Sequence, residues 1–400
     1  MSGGRGALLP DPGRSAWWRL LLRFSHQHGL PLREDNEVGL LVGGAAFLEA
    51  TRVLIQGARR ALRFEMYIWK PDAVGREIAD MLTEALARGV AVHGIVDHLG
   101  SLGAAPLIDQ VQKAGGEIRF FHPVGLWRPL RIWNRRNHRK AVLADGVEAA
   151  VGSANWGEEY DLRRTETAYL DLGVVLRGPS VLDLNEDFQK VWRRAGPGDL
   201  PRLEAEEGAP LWPGAWCRGA TVQVVTSLQR FGARAIRRHV ELLVRQAKGR
   251  LWIANAYFIP TLRLRRLLAR AARRGVDLRL LLPGISDNAF TLAASRAGYG
   301  PLLRSGATIL ERGGRFLHAK AALLGGDLAL IGSANFDSRS FRHNLELNLL
   351  IQHEGLAREL EEAFLRQLSD SRVISLGDWE ARPWWVRCWQ QAAYSLRWWL

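Results

Sequence analysis

The sequence predicts an α/β protein built by duplication: two tandem α/β domains forming a pseudo-two-fold, bilobal molecule with one shared site. Three observations carry this. A set of polar residues occurs twice at matching spacing, a strand–helix–strand pattern precedes it both times, and a stretch rich in Pro, Gly and Glu at 196–216 separates the copies. These features divide the chain into an N-terminal amphipathic, basic extension (1–38), a first domain (39–195), a linker (196–216), a second domain (217–376) and a Trp/Arg-rich C-terminal segment (377–400).

Within 61–100, an apolar stretch at 63–69 is followed by a helical stretch ending in Ala87-Arg88-Gly89-Val90 and a second apolar strand at 92–96. Within 250–284, an apolar stretch at 251–258, a helix ending in Ala272-Arg273-Arg274-Gly275-Val276 and a strand at 277–282 repeat the pattern. Strand, helix and strand at this spacing form a βαβ unit with buried, parallel neighbours. Downstream, 140–144 and 320–324 read as strands turning at glycine, and 148–151 and 328–331 as the returning strands. The polar motif therefore falls at strand ends, where α/β sheets place chemistry.

That motif is His138, Lys140, Ser153, Asn155 and Glu166 in the first copy and His318, Lys320, Ser333, Asn335 and Glu346 in the second. Counted from each histidine, the others stand at +2, +15, +17 and +28 in both copies. Singly, such residues are ordinary surface or turn positions; recurrence in register points to a site. Two imidazoles supply a nucleophile and an acid/base, lysines, serines and asparagines can hold the oxygens of an anionic group, and a carboxylate can fix each ring's tautomer. Tyr67 and Tyr257 also match by position, as do Glu65 and Asn255; the tyrosines suit a pocket wall as well as strand packing. His93, His98, His122 and His343 have no such pairing.

A net charge of +14 calls for an anionic partner, nucleic acid or phospholipid. Sixteen tryptophans, five of them within 384–399, favour lipid. Trp384, Trp385, Trp389, Trp398 and Trp399 alternate there with Arg387 and Arg397, as expected of a helix lying at a bilayer interface. A second basic-aromatic stretch, with Trp127, Arg128, Arg131, Trp133, Arg135 and Arg136, precedes His138 and reads as a lip meeting lipid headgroups. No apolar run reaches the length of about 18 residues that a spanning helix needs, and the N-terminus lacks the pattern of a signal peptide. Two cysteines, Cys217 and Cys388, provide neither a disulfide framework nor a metal-ligand pair.

The HxK, GSxN and downstream acid, present twice, resemble the phospholipase D superfamily. The first copy matches its HxKxxxxD signature with His138, Lys140 and Asp145; the second carries Gly325 at the aspartate position. Arg136-Asn137-His138-Arg139-Lys140, the run Gly-Ser-Ala-Asn-Phe-Asp ending at Asp337, and the Trp/Arg-rich tail bring the resemblance nearest to bacterial cardiolipin synthases lacking N-terminal transmembrane helices. The resemblance implies two phospholipase D-like domains around one active site. It implies phosphatidyl transfer through a phosphohistidine, with His138 as nucleophile and His318 as acid/base, and no metal or cofactor. It makes the signature aspartate more a support than a reacting group. The expected reaction is cardiolipin synthesis from phosphatidylglycerol, with another phospholipid as a second possible donor, by a peripheral enzyme on the cytoplasmic side of the bacterial inner membrane that needs no obligate protein partner. The alternative is a phosphodiesterase hydrolysing phospholipid or nucleic acid; the Trp-rich tail argues against nucleic acid.

Overall fold

The computed structural model describes residues 22, 25, 29–124, 134–203, 208–228 and 234–397. Trp127, Arg128, Arg131, Trp133, Trp398 and Trp399, and most of the expected N-terminal extension, lie outside the described residues.

The first half contributes strands β1 (Leu32–Val42), β2 (Ala61–Met66), β3 (Ala91–Asp97), β4 (Glu117–Phe121), β5 (Ala141–Ala144), β6 (Glu148–Gly152) and β7 (Leu172–Arg177). The second contributes β8 (Cys217–Thr226), β9 (Arg250–Asn255), β10 (Asp277–Pro283), β11 (Thr308–Arg312), β12 (Lys320–Leu324), β13 (Leu328–Gly332), β14 (Leu347–Gln352) and β15 (Ser371–Val373). All join one sheet. Outward from the central antiparallel β1–β8 pair, the order is β7-β6-β5-β2-β3-β4 on one side and β14-β13-β12-β9-β10-β11 on the other, with β15 added at that edge. The two arms are the same series, so the duplication in sequence is a pseudo-two-fold about the seam. β1 starts at Leu32, inside the stretch expected to be an extension.

The βαβ units form as expected, with β2–β3 and β9–β10 parallel. The helix Ala73–Ala87 buries Val74, Ile78, Met81, Leu82 and Ala85 at helical spacing, and Asp72 caps it by accepting from Gly75 N at 2.9 Å. Gly75 is obligatory, since a Cβ there would stand 1.7 Å from Lys70 O. Covered on both faces, β2 is buried throughout. One face of each arm shares a single apolar cluster that includes Leu143, Val151 and Val174 of the first half and Leu323, Ile331 and Leu349 of the second. Burial across that cluster holds the arms together. Among the described residues, no helix is long and apolar enough to cross a membrane.

Asp145, grouped by its motif with the catalytic residues, belongs to this framework, in the supporting part that the resemblance implied for it. It sits at the β5–β6 turn with φ +55°, and its carboxylate accepts from the backbone N–H of Arg59 (2.9 Å), Arg60 (2.8 Å) and Ala61 (2.8 Å). These bonds tie the start of β2 to the turn, at the end of β5 away from His138. Gly325 occupies the corresponding turn with φ +59°. Asp145→Ala leaves three amides without their acceptor, at a cost of about 1–3 kcal/mol. Its melting temperature is expected to fall by several degrees while kcat/KM of the folded protein stays within about threefold. A stable but inactive variant would give Asp145 a part in the chemistry.

Candidate active site

Both histidines stand immediately outside the strand that follows them, His138 before β5 and His318 before β12. Each serine follows the glycine that ends the next strand, Gly152 in β6 and Gly332 in β13. Glycine is needed at 332 because a Cβ would stand 2.3 Å from both Leu347 O and Asn348 Oδ1.

The decisive contacts cross between halves. His138 N donates to Leu345 O (2.9 Å) and Leu345 N to Arg136 O (2.9 Å); His318 N donates to Leu170 O (2.7 Å) and Leu170 N to Phe316 O (2.9 Å). Each histidine segment is thus zipped to the segment that delivers the opposite half's carboxylate. His138 Nδ1 lies 3.0 Å from Glu346 Oε2, and His318 Nδ1 lies 2.8 Å from Asp171 Oδ2. Ser333 and Ser153 donate to those same carboxylates, Glu346 and Asp171. With Nδ1–H bound to a carboxylate, Nε2 is the lone-pair atom of each ring.

Glu166 is therefore a correction. It is exposed and holds no histidine. The first half carries five more residues between its serine and the strand that follows, β7, than the second carries before β14, so the carboxylate directly before β7 is Asp171, 33 residues after His138, whereas Glu346, directly before β14, is 28 after His318. The match at +28 was coincidence; the position directly before β7 and β14 is the true correspondence.

The rings face one cavity of about 590 Å³ lined also by Asn155, Asn335, Tyr67, Tyr160, Tyr257 and Asp337. Ile68 N donates to Asn155 Oδ1 (3.2 Å) and Tyr257 N to Asn335 Oδ1 (3.3 Å), so both amides are set by backbone in equivalent ways. Asn155 Nδ2 donates to Tyr160 OH (3.0 Å), a wall residue that sequence reasoning missed, as it did Arg339 and Asn344. Tyr67 meets the His138 ring at 4.8 Å. Below the rings, Lys140 Nζ donates to His138 O (2.7 Å) and Lys320 Nζ to His318 Nε2 (2.9 Å).

The histidines, the lysines and their two carboxylates are all buried. Burial, reinforced by Lys140 and Lys320, drives His138 well below the ordinary histidine range; burial and Lys320 bring His318 to about 4. Burial lowers Lys320 to about 8 and raises Glu346 to about 7. Burial also pushes Asp171 upward, but His318 and Lys320 outweigh it and leave the carboxyl below its usual value. An anion entering the cavity favours the protonated forms of all four cationic groups.

The expected headgroup residues divide. Arg136 is a correction: fully buried, it pairs with Asp97 (3.2 Å) and donates to His122 O (2.6 Å), bracing the chain before His138. Arg135 is exposed. In the helix Trp384–Ser395, Ala393 and Tyr394 pack against Ile259, Ala293 and Ala297, while Trp384, Trp385 and Trp389 are 75%, 61% and 53% exposed and Arg387 is exposed beside them. Arg397 stacks over Tyr394 at 4.6 Å.

Comparison with known proteins bears on this geometry. A family model described as cardiolipin synthase, PLD-like domain, matches residues 52–192 and 240–368. Cardiolipin synthase A of Pseudomonas fluorescens (strain SBW25) is 34% identical over 349 residues, 86% of this chain and 71% of that one. The major cardiolipin synthase ClsA of Bacillus subtilis (strain 168) is 30% identical over 357 residues, 88% and 73% of the two. Among solved structures, phosphatidylserine synthase from Haemophilus influenzae Rd KW20 superposes with a TM-score of 0.73 at 14% identity, covering 96% of this chain and 100% of that one; this shows a common fold.

Asp171 and Glu166 can be told apart directly. Asp171→Asn keeps the shape but removes the charge that orients His318, and is expected to cut turnover by about 10³-fold or more. Glu166→Gln is expected to stay within about twofold, since it changes an exposed charge. Steady-state rates on a short-chain phospholipid decide it, and the reverse order of effects would return the role to Glu166.

Proposed function

The chain belongs to the cardiolipin synthase, PLD-like domain, family and is a phosphatidyltransferase of the phospholipase D superfamily, and from that premise we propose that it makes cardiolipin from phosphatidylglycerol through a phosphohistidine. The observation that carries this is the pair of histidines facing one cavity, each with Nδ1 held by a carboxylate of the other half. In the first step His138 Nε2 attacks the phosphorus of a phosphatidylglycerol. The N–P bond forms, the bond to the glycerol headgroup breaks, and His318 gives its proton to the departing oxygen. In the second, a hydroxyl of another phosphatidylglycerol loses its proton to His318, its oxygen bonds to phosphorus, and the N–P bond breaks. Asn155, Asn335 and the two lysines are the groups at hand for the non-bridging oxygens. His318 enters protonated because the substrate's phosphate offsets the burial and the cations that keep it neutral in the empty cavity.

The enzyme in this reading is peripheral, on the cytoplasmic face of a bacterial inner membrane. Two phospholipase D-like domains (39–195 and 217–376) share the site, and the segment 377–400 meets the lipid. The support for membrane contact is the outward face of the helix Trp384–Ser395, with three exposed indoles and Arg387. Indoles suit headgroup depth, and each cation near an anionic leaflet contributes about 1 kcal/mol.

His138→Ala and His318→Ala are each expected to lower turnover by about 10⁴-fold or more, since nucleophile and acid act as a unit. His318→Ala still accumulates a phosphatidyl adduct on His138, seen by mass spectrometry after acid-free digestion. An adduct on His318 in the His138→Ala protein would reverse the roles. Activity should survive EDTA; strict dependence on a divalent ion would sink the mechanism.

For the membrane, Trp384→Ala/Trp385→Ala/Trp389→Ala keeps Ala393 and Tyr394 in the packed face and removes from the packing only the edge contact of Trp389 with Phe290 (5.7 Å). It is expected to keep its melting temperature and its activity on a soluble short-chain lipid, but to lose at least about tenfold in co-sedimentation with phosphatidylglycerol vesicles. Sedimentation equal to that of the parent would remove this helix from the membrane contact.

A further inference from the structure

We propose that a cationic cavity beside the catalytic one holds the phosphate of the acceptor lipid, so that the acceptor is chosen by a charge several bonds from its reacting hydroxyl. This rests on the transfer reaction proposed above and adds to it the group that selects the acceptor.

The cavity is about 540 Å³ and is lined by Arg135, Arg194, Arg342, His122, His343 and Asn344. Among the described residues lining it there is no carboxylate. Three guanidiniums around a space with no acid suit a phosphodiester, which arginine holds through paired N–H donors. His343 feels the same field: burial, then Arg339, Arg135 and Arg342, keep it below its ordinary value.

The cavity adjoins the chemistry. Asn344 lines both cavities. The next residue, Leu345, accepts from His138 N at 2.9 Å, and the next, Glu346, holds His138 Nδ1 at 3.0 Å. Asn344 Nδ2 donates to Glu346 Oε1 (3.3 Å), while its buried Oδ1 has no hydrogen-bond partner, an acceptor suited to a hydroxyl. In this proposal the acceptor lies across Asn344, with its hydroxyl in the catalytic cavity and its phosphate among the arginines.

The pseudo-two-fold supplies a control. Arg315 stands three residues before His318 as Arg135 stands three before His138, and Leu170 pairs with the His318 segment as Leu345 does with that of His138. Arg315 and Leu170 also line a cavity, but its walls include Leu162, Leu281, Leu317 and Phe364. The hollow is repeated and the positive charge is not. A function that both half-sites shared would not require that difference. Recognition of the one substrate that brings a second phosphate does. Phosphatidylglycerol as acceptor carries such a phosphate; glycerol and water, which compete for the same intermediate, do not.

The test is a partition ratio. Short-chain dihexanoylphosphatidylglycerol below its micellar concentration serves as donor and acceptor, with isotope-labelled glycerol as the competing acceptor. Both products arise from the same enzyme-bound phosphatidyl group, so their ratio cancels donor binding and the first step. Arg194→Gln/Arg342→Gln is expected to lower the ratio of cardiolipin to labelled phosphatidylglycerol by about tenfold or more. Arg194→Lys/Arg342→Lys, which keeps the charge, should recover most of it, and melting temperatures confirm that both proteins fold. Inorganic phosphate tests the other source of the same chemistry. Added at the acceptor's concentration, it should leave the parent's ratio within about twofold. A ratio unchanged in the glutamine variant overturns the proposal, and so does inorganic phosphate lowering the ratio as far as that variant does. If the parent makes labelled phosphatidylglycerol but no cardiolipin, the acceptor reading fails and the transferase chemistry stands. If it makes neither, the proposed reaction fails and this inference with it.

Discussion

Each histidine of the site depends on the other half of the chain. Glu346 orients His138, Asp171 orients His318, and the backbone around both pairs is bonded across the halves before any side chain is considered. A carboxylate fixes a ring tautomer only if its distance holds to a few tenths of an ångström. The seam that sets this distance is the β1–β8 pair together with the apolar cluster shared by the two arms. Neither half contains a complete histidine–carboxylate pair, so the site is a property of the assembled sheet.

The same construction concentrates positive charge where water is scarce. Two lysines, both nearly inaccessible, lie beneath two buried imidazoles, and every one of these groups is shifted toward its neutral form. An unoccupied site of this kind is destabilising to the fold, and the destabilisation is relieved by an anion rather than by a neutral ligand. Binding energy is thus directed at a phosphate before any contact with the rest of a lipid. The carboxylates are not equivalent in this field. Burial lifts Glu346, whereas His318 and Lys320 hold Asp171 down, so the two histidines face partners of different proton affinity. On the proposed mechanism that inequality fits two different tasks, attack on phosphorus at one ring and proton transfer at the other.

Much of this was legible in the residues. The twin spacing located both histidines, both lysines, both serines and both asparagines, and the βαβ pattern placed the motifs at strand ends. The seam strands β1 and β8 were not legible, because they pair across the duplication and local periodicity does not encode a partner about 180 residues away; β7 and β14, which flank them, went unread with them. Asp171 was hidden by five extra residues in one connection, and a chance glutamate at the expected offset stood in for it. Arg136 read as a surface cation because nothing in sequence announces Asp97 as its buried partner. Glu65 and Asp187 likewise claim Arg139, at 3.3 and 2.6 Å. Charge runs next to a catalytic histidine are ambiguous in this way, since the same arginines serve a membrane lip or an internal brace.

Duplication produces symmetry, yet a transfer between two different positions of a substrate is asymmetric, and the two halves have diverged where that matters. The reacting side chains stay matched. Around them, Asp171 stands opposite Glu346, Asp145 opposite Gly325, and an arginine-lined hollow opposite an apolar one. Asp145 and Gly325 show how little the turn itself constrains chemistry, because a left-handed backbone serves in both places whether or not a carboxylate braces it. The divergence in the hollows is of another kind: Arg135, Arg194 and Arg342 line the one, and Leu162, Leu281, Leu317 and Phe364 stand in the wall of the other. On the proposed acceptor site, that difference fits a ligand whose second phosphate enters on one side alone.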